Sequence, residues 1–303
     1  MAKDFNLKGF NRLLICSGCE VSLLDIHEAI VDVLDKAEFV RSPVLADVKE
    51  FVPADVGIIT GGIRNEHNIH VAKEMRKSCK LVIALGSCAC FGGIPGLANM
   101  YTREEVYQKV YLDCMGVDNP LGREPQDDLP PLTEKVAPLS SVIKVDVAIP
   151  GCPPVPELIA QGLMTLLEGK PLDLPKVSVC DPCPRERTYE KIKDLKRWYK
   201  AANEEVDPKK CFLEQGYLCL GPATWGICDA RCTSVGVPCR GCHGPLDGER
   251  DSGIAVASFM GSLASEIPKE KILEALAEDS LAYFYQHQLA TTKLGMYKKE
   301  LKK

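Results

Sequence analysis

The sequence predicts a parallel, doubly wound α/β domain over residues 1–175, followed by a smaller, mostly irregular and helical domain over residues 176–303. Three observations predict it. Short apolar runs alternate with helix-period segments in the first half, the order that builds a parallel sheet with helices packed on it. Several of those runs end at glycine, where the chain must turn sharply. After Lys176 the texture changes: cysteines cluster, Gly and Pro intersperse them, and apolar periodicity fades.

The elements follow in order. Arg12–Ile15 is a short apolar run and is predicted to be a strand. Glu20–Lys36 repeats Val21, Leu24, Ile30, Val33 and Leu34 at helical spacing. Asp55–Thr60 is a buried-strand run ending at Gly61-Gly62, and Asn65–Lys77 is a polar helix. Lys80–Leu85 is a strand that stops at Gly86. Cys114–Pro138 carries Pro120, Pro125, Pro130 and Pro131 and reads as an insertion loop. Val142–Ile149 is a strand ending at Pro150-Gly151, and Pro156–Leu167 is an apolar helix. Beyond residue 175, Glu186–Ala201 is predicted as one helix and Ile254–Lys303 as several. No internal repeat is visible.

Composition narrows the function. The chain has 303 residues, 46% of them hydrophobic and 26% charged, which suffices for a substantial core. That excludes a disulfide-dense mini-scaffold. A net charge of −5, from 37 basic and 42 acidic residues, gives no electrostatic case for nucleic acid or an anionic membrane surface. Aromatic residues make up only 6%, so base stacking is poorly supported. Met1–Asn11 has no basic region leading into an apolar stretch and no twin-arginine pair. No run approaches the roughly 18–20 apolar residues of a membrane span. The protein is therefore expected in the cytoplasm. Thiols stay reduced there, and 15 cysteines argue for metal rather than disulfides.

The cysteines fall into constellations. Ligands of open α/β sheets gather beyond the carboxyl ends of the strands. Cys16 and Cys19 follow the first predicted strand, Cys88 follows Lys80–Leu85, and Cys152 follows Val142–Ile149. Four soft thiolates from three strand ends suit either zinc or an iron–sulfur cube. They could also pack as ordinary buried thiols. Isolated Cys88 and Cys152 fit zinc less well, because zinc motifs bring two close pairs. Gly86, Gly92, Gly93 and Gly151 supply tight backbone for a bulky group. The second half holds Cys180-x2-Cys183, Cys211, Cys219, Cys228, Cys232 and Cys239-x2-Cys242. Eight thiols suffice for two four-thiolate clusters, and the two close pairs also fit one or two zinc sites. Cys239-Arg-Gly-Cys242-His243 matches the c-type haem attachment pattern. Covalent haem accompanies export, for which there is no signal. His243 reads as an incidental neighbour of Cys242, and His27, His67, His70 and His287 as solvated or core residues. Cys79, Cys90 and Cys114 read as ordinary thiols.

Together Cys16-Ser-Gly-Cys19, Gly86-Ser-Cys88-Ala, Gly92-Gly93 and Pro150-Gly151-Cys152-Pro153-Pro154 resemble the small subunit of NiFe hydrogenases. The match continues through Gly216–Pro222 and Gly236-Val-Pro-Cys239-Arg-Gly-Cys242, covering about residues 12–245. Within the family the chain is most similar to cytosolic methanogen-type enzymes that reduce methyl viologen but not the deazaflavin coenzyme. The resemblance implies a flavodoxin-like domain with a proximal 4Fe-4S cluster on Cys16, Cys19, Cys88 and Cys152. It implies a distal cluster on Cys180, Cys183, Cys211 and Cys219, and a medial cluster on Cys228, Cys232, Cys239 and Cys242. It also implies a NiFe centre in a separate large subunit, with a small iron–sulfur delta subunit and heterodisulfide reductase as acceptors.

Departures from the family pattern carry information. Cys180 stands where many members have His. Cys232 stands where members with a three-iron medial cluster have Pro, which implies a full cube. Cys211-x7-Cys219 is longer than in periplasmic relatives, which leaves the split of Cys219 and Cys228 between distal and medial sets open. Gly18 and Gly93 stand where oxygen-tolerant members have extra cysteines, which implies oxygen sensitivity. Arg185, Arg187 and Arg240 are candidates to offset cluster charge or are surface residues. Two other readings are a complex-I-type iron–sulfur subunit, which shares the first domain but usually lacks the eight-cysteine second one, and a zinc-stabilised structural or binding protein.

Overall fold

The computed structural model describes residues 7–12, 16–42, 50–124, 129–246, 251–276 and 279–296. In chain order the first elements are β1 (Leu7–Arg12), α1 (Gly18–Leu24), α2 (Ala29–Lys36), β2 (Ala54–Thr60), β3 (Ile63–Asn65) and α3 (Glu66–Ser78). They are followed by β4 (Cys79–Leu85), α4 (Ser87–Phe91), α5 (Arg103–Tyr107), β5 (Leu132–Ala137), β6 (Val147–Ile149) and α6 (Pro156–Leu167). Strands β1, β2, β4 and β6 form one sheet in the order β1-β2-β4-β6, and every pair is parallel.

Helices cover both faces of this sheet, and strand periodicity shows why. Ile59, Val82 and Ala84 share a core with Val71, Ala72 and Met75 of α3. Side chains alternate between faces along a strand, so Leu85 points away from that core. Leu85 is in register with Ile149 of β6, and Ile149 lies directly beneath Gly162 of α6. Helix α6 packs in turn against α1 and α2. Both faces of the strands are therefore apolar, as the continuous runs in β2 and β4 require. Asn65 begins α3 with a reciprocal cap: its side chain accepts from the Asn68 N–H, and Asn68 accepts from the Asn65 N–H.

Several expectations are corrected. The first strand is Leu7–Arg12, ahead of the expected Arg12–Ile15, whose residues 13–15 lie outside the described residues. The expected helix Glu20–Lys36 is two helices, broken at Asp25–Glu28 where His27 adopts φ 55°. The strand expected over Val142–Ile149 pairs only over Val147–Ile149, because the Asp146 carboxylate accepts the Val82 N–H in place of a backbone carbonyl. Asp146 is also gripped by Arg76. The Cys114–Pro138 loop contains a strand: β5 pairs antiparallel with β3. Residues 125–128 of that loop lie outside the described residues.

The chain divides into two compact units, one of Met1–Leu172 with Gln288–Lys303 and one of Asp173–His287. The C-terminal segment therefore differs from the expectation that all of 176–303 forms the second domain. Ala290 fills the space above Gly92 and Gly96 of the first unit. In the second unit lie α7 (Arg231–Ser234), α8 (Ser252–Leu263), α9 (Lys269–Leu276) and α10 (Ser280–Tyr285), and α11 (Lys293–Met296) lies in the first. Residues 277–278 and 297–303 of the expected helical tail lie outside the described residues. The helix expected over Glu186–Ala201 is absent except for a short 3₁₀ turn at Trp198–Ala202. Its backbone is used instead to bridge Glu186 to Lys210 and Lys196 to Tyr217. Tertiary pairing there overrides a modest helix propensity. Among the described residues no helix is long and apolar enough to cross a membrane.

Candidate metal centres

Because all four sheet strands are parallel, their carboxyl ends open on one edge, and three loops there carry cysteine. Cys16 and Cys19 flank the start of α1, with Ser17 between them in the left-handed region at φ 69°. Cys88 lies in the single turn of α4, directly after β4. Cys152 follows β6. Hydrogen bonds tie the loops together. Ser87 donates its N–H to the Gly151 carbonyl at 2.8 Å, and its Oγ accepts the Gly151 N–H at 3.0 Å. The Ser22 hydroxyl of α1 reaches the Pro154 carbonyl at 2.5 Å.

The four thiols converge. Burial raises the Cys19 thiol, and the charges of Cys88, Glu20, Cys152 and Cys16 raise it further. Burial pushes Cys88 up to about 12, with Cys152 and Cys16 adding to it, and Cys152 rises through burial and Cys16. Cys19, Cys88 and Cys152 thus resist ionisation, and with Cys16 beside them they form a donor set that needs a cationic partner, since metals bind the thiolate. Two glycines clear the space. At Gly86, with φ +89°, a Cβ would overlap the Cys19 Sγ, and at Gly93, with φ +56°, it would lie 2.5 Å from the Cys88 Sγ. Among the described residues no three His, Cys, Asp or Glu groups converge tightly enough to hold a single metal ion. Zinc draws its sulfurs to about 2.3 Å, whereas a cube of iron and sulfide spreads the same four thiolates more widely. Four soft thiols are a donor set that an iron–sulfur cluster takes.

Sequence reading missed Glu20. It is 5% exposed, one carboxylate oxygen accepts from the Thr60 hydroxyl at 3.0 Å, and the other finds no hydrogen-bond partner among the described residues. Its signal in the sequence is a carboxylate directly after Cys19 in the first turn of a helix.

The second unit brings together further thiols. Burial pushes Cys180 up to about 11 against the opposing effect of Arg187, with Cys211 and Cys183 contributing. Cys219 is buried and held far above the ordinary thiol range by burial, then by Cys239, with Cys180 a smaller influence. The Cys239 N–H donates to the Cys219 Sγ at 3.2 Å. Burial pushes Cys239 up to about 12, and Cys228 and Cys232 add to it. Cys180, Cys183, Cys211 and Cys219 thus form one neighbourhood and Cys228, Cys232 and Cys239 another, with Cys219 and Cys239 touching where they meet. Cys242 stands three residues after Cys239, with its Sγ 3.3 Å from the His243 Nδ1. Backbone amides point at several sulfurs, those of Leu213 and Glu214 at Cys211, and of Ala230 and Arg231 at Cys228. Such amide nests favour bound anions.

Residues 16–166 match the family described as NADH ubiquinone oxidoreductase, 20 Kd subunit. The chain is 45% identical to a subunit of the vhu F420-non-reducing hydrogenase of Methanococcus voltae, over 86% of this chain and 90% of that one. The chain belongs to the NiFe hydrogenase small-subunit family. It is also 40% identical to the corresponding subunit of the F420-non-reducing hydrogenase of Methanothermobacter thermautotrophicus, over 93% of each chain. A crystal structure of NAD+-reducing [NiFe]-hydrogenase in the H2-reduced state aligns with a TM-score of 0.54 and 32% identity, over 57% of this chain and 96% of that one. The [NiFeSe] hydrogenase of Desulfovibrio vulgaris Hildenborough shares the fold at a TM-score of 0.51 and 19% identity, over 82% of this chain and 96% of that one.

In this hydrogenase small subunit the three arginines separate by role. Arg187 hydrogen-bonds the Cys180 thiol. Arg240 stacks on Trp198 and Tyr283 and interacts electrostatically with Cys239. Arg185 instead binds the carbonyls of Thr233, Asp207 and Lys210 and stacks on Phe212, an architectural role. The three remaining cysteines also differ. Cys114 is exposed. Cys79 is buried beneath Gly57, and the Cys90 thiol donates to the Ala84 carbonyl at 3.4 Å. Burial raises both, so little thiolate exists at pH 8, and the thiolate is the nucleophile. Iodoacetamide treatment of the native protein at pH 8, read by peptide mass spectrometry, is expected to label Cys114 first and to spare Cys79 and Cys90. Equal labelling of the three would contradict their placement.

Proposed function

We propose that this small subunit carries electrons between the NiFe site of a separate large subunit, where H2 is oxidised, and an external acceptor. The observation that supports it best is the convergence of Cys16, Cys19, Cys88 and Cys152 at one edge of the sheet. These four hold the proximal 4Fe-4S cluster. Cys180, Cys183, Cys211 and Cys219 hold the distal one, and Cys228, Cys232, Cys239 and Cys242 the medial one. When bound, the clusters supply one-electron carriers within iron–sulfur potentials of roughly −700 to +450 mV. The chain's own residues bury or half-bury all of these cysteines except the exposed Cys16 and Cys232, offset cluster charge through backbone amides, Arg187 and Arg240, and hold the loops in register through Ser22 and Ser87.

The acceptor we propose is a heterodisulfide reductase complex reached through a small iron–sulfur delta subunit. The support is similarity to enzymes named for not reducing F420. A cytoplasmic location suits a chain whose 15 cysteines must stay reduced until metallated. The family match over residues 16–166 also fits a complex-I-type subunit. The eight further cysteines from Cys180 to Cys242 favour the hydrogenase reading.

Anaerobic purification followed by metal and sulfide analysis is expected to return about twelve iron and about twelve acid-labile sulfide per chain, the content of three cubes. Stoichiometric zinc with little sulfide would sink the assignment. Cys232→Pro removes one medial thiolate and is expected to leave a three-iron cluster, seen as a new EPR signal in the oxidised protein. Spectra identical to those of the unmutated protein would refute Cys232 as a ligand.

A further inference from the structure

The imidazole of His243 is 2% exposed, and its Nδ1 lies 3.3 Å from the Sγ of Cys242. The ring is held in place by its turn. The Gly244 N–H donates to the Gly241 carbonyl at 3.0 Å, and the Gly244 carbonyl accepts the Trp225 N–H at 3.2 Å. An isolated bridge from Thr224 to Pro245 pins the next residue. The Nε2 on the far side of the ring finds no hydrogen-bond partner among the described residues.

This geometry decides which nitrogen carries the proton once Cys242 binds metal. A metal-bound thiolate has no proton to give and can only accept. The contact with sulfur is then a hydrogen bond only if Nδ1 carries a proton to donate. A hydrogen bond to sulfur strengthens as the cluster gains negative charge on reduction, and so favours the reduced form.

We infer that His243 is a positioning residue that donates from Nδ1 to the Cys242 Sγ and raises the reduction potential of the medial cluster. The inference rests on the reading of Cys242 as a medial ligand. It gives the residue after the Cys239-x2-Cys242 pair a definite task, setting the middle step of the electron path relative to its neighbours.

The test is an EPR-monitored redox titration of the complete complex, with iron counted first. His243→Phe keeps the ring volume and removes the donor. It is expected to keep about twelve iron and to shift the medial oxidised-to-reduced ratio at fixed potential about tenfold toward oxidised, about 59 mV for a one-electron couple, with the other clusters unmoved. His243→Asn places an amide donor near the Nδ1 position and is expected to restore the wild-type midpoint. Full iron with an unchanged medial midpoint in the Phe variant, or an equal shift of all three clusters, would overturn the inference while leaving the ligand assignment intact. Iron well below twelve in the unmutated complex would overturn the ligand reading and this inference with it. If the Phe variant loses its clusters, pulsed EPR of the reduced wild-type complex labelled with ¹⁵N-histidine decides. Histidine nitrogen coupling to the medial cluster supports the donor, and its absence overturns it.

Discussion

Like charges crowded into a protein interior repel, and the repulsion is costly where water cannot screen it. Cys19, Cys88 and Cys152 each feel the charge of others in the set they form with Cys16, and Glu20 adds its charge at Cys19. Without a cation, Cys19, Cys88 and Cys152 stay protonated. With one, the shape of the set becomes an asset, because the ligands are already in position. Much of the surrounding structure can be understood as a means of holding this electrostatically unfavourable arrangement. The parallel sheet delivers three loops to one edge, and Ser22 and Ser87 cross-tie them. Gly86 and Gly93 adopt backbone angles that leave the sulfurs their space.

The second unit meets the same constraint differently. It has little regular structure around its eight thiols, so backbone N–H groups are free to point at sulfur rather than at carbonyls in a ladder. Irregular backbone is here a functional material, as in other anion-binding nests. Arg185 ties this irregular backbone together by donating to the carbonyls of Thr233, Asp207 and Lys210. A core of Phe212, Leu213, Tyr217, Leu218 and Val256 closes the unit.

How much of this was legible in the sequence follows from the range of each interaction. β2, β4, α3 and α6 were readable because continuous apolar runs and helical spacing are local signals. The gathering of Cys16, Cys19, Cys88 and Cys152 was readable because ligands of a parallel sheet collect beyond its carboxyl ends. The pairing of β5 with β3 was hidden, since the three residues of β3 carry no pattern and its partner lies behind a proline-rich stretch. Glu186–Ala201 looked helical, but its backbone groups are claimed by residues 209–217, a contact no periodicity reports. The break at His27 and the return of the tail at Gln288 are likewise set by packing. His243 looked incidental after Cys242, and the approach of its Nδ1 to sulfur appears only in the folded turn.

The central claim is that three loops of one sheet edge hold a single iron–sulfur cluster on Cys16, Cys19, Cys88 and Cys152. Anomalous diffraction at the iron edge from anaerobically grown crystals of the complete complex tests it most directly. The expected result is one compact iron peak enclosed by those four sulfurs, with two further peaks within the Asp173–His287 unit. A map with no iron at the sheet edge, or with a single peak at the zinc edge in its place, would contradict it.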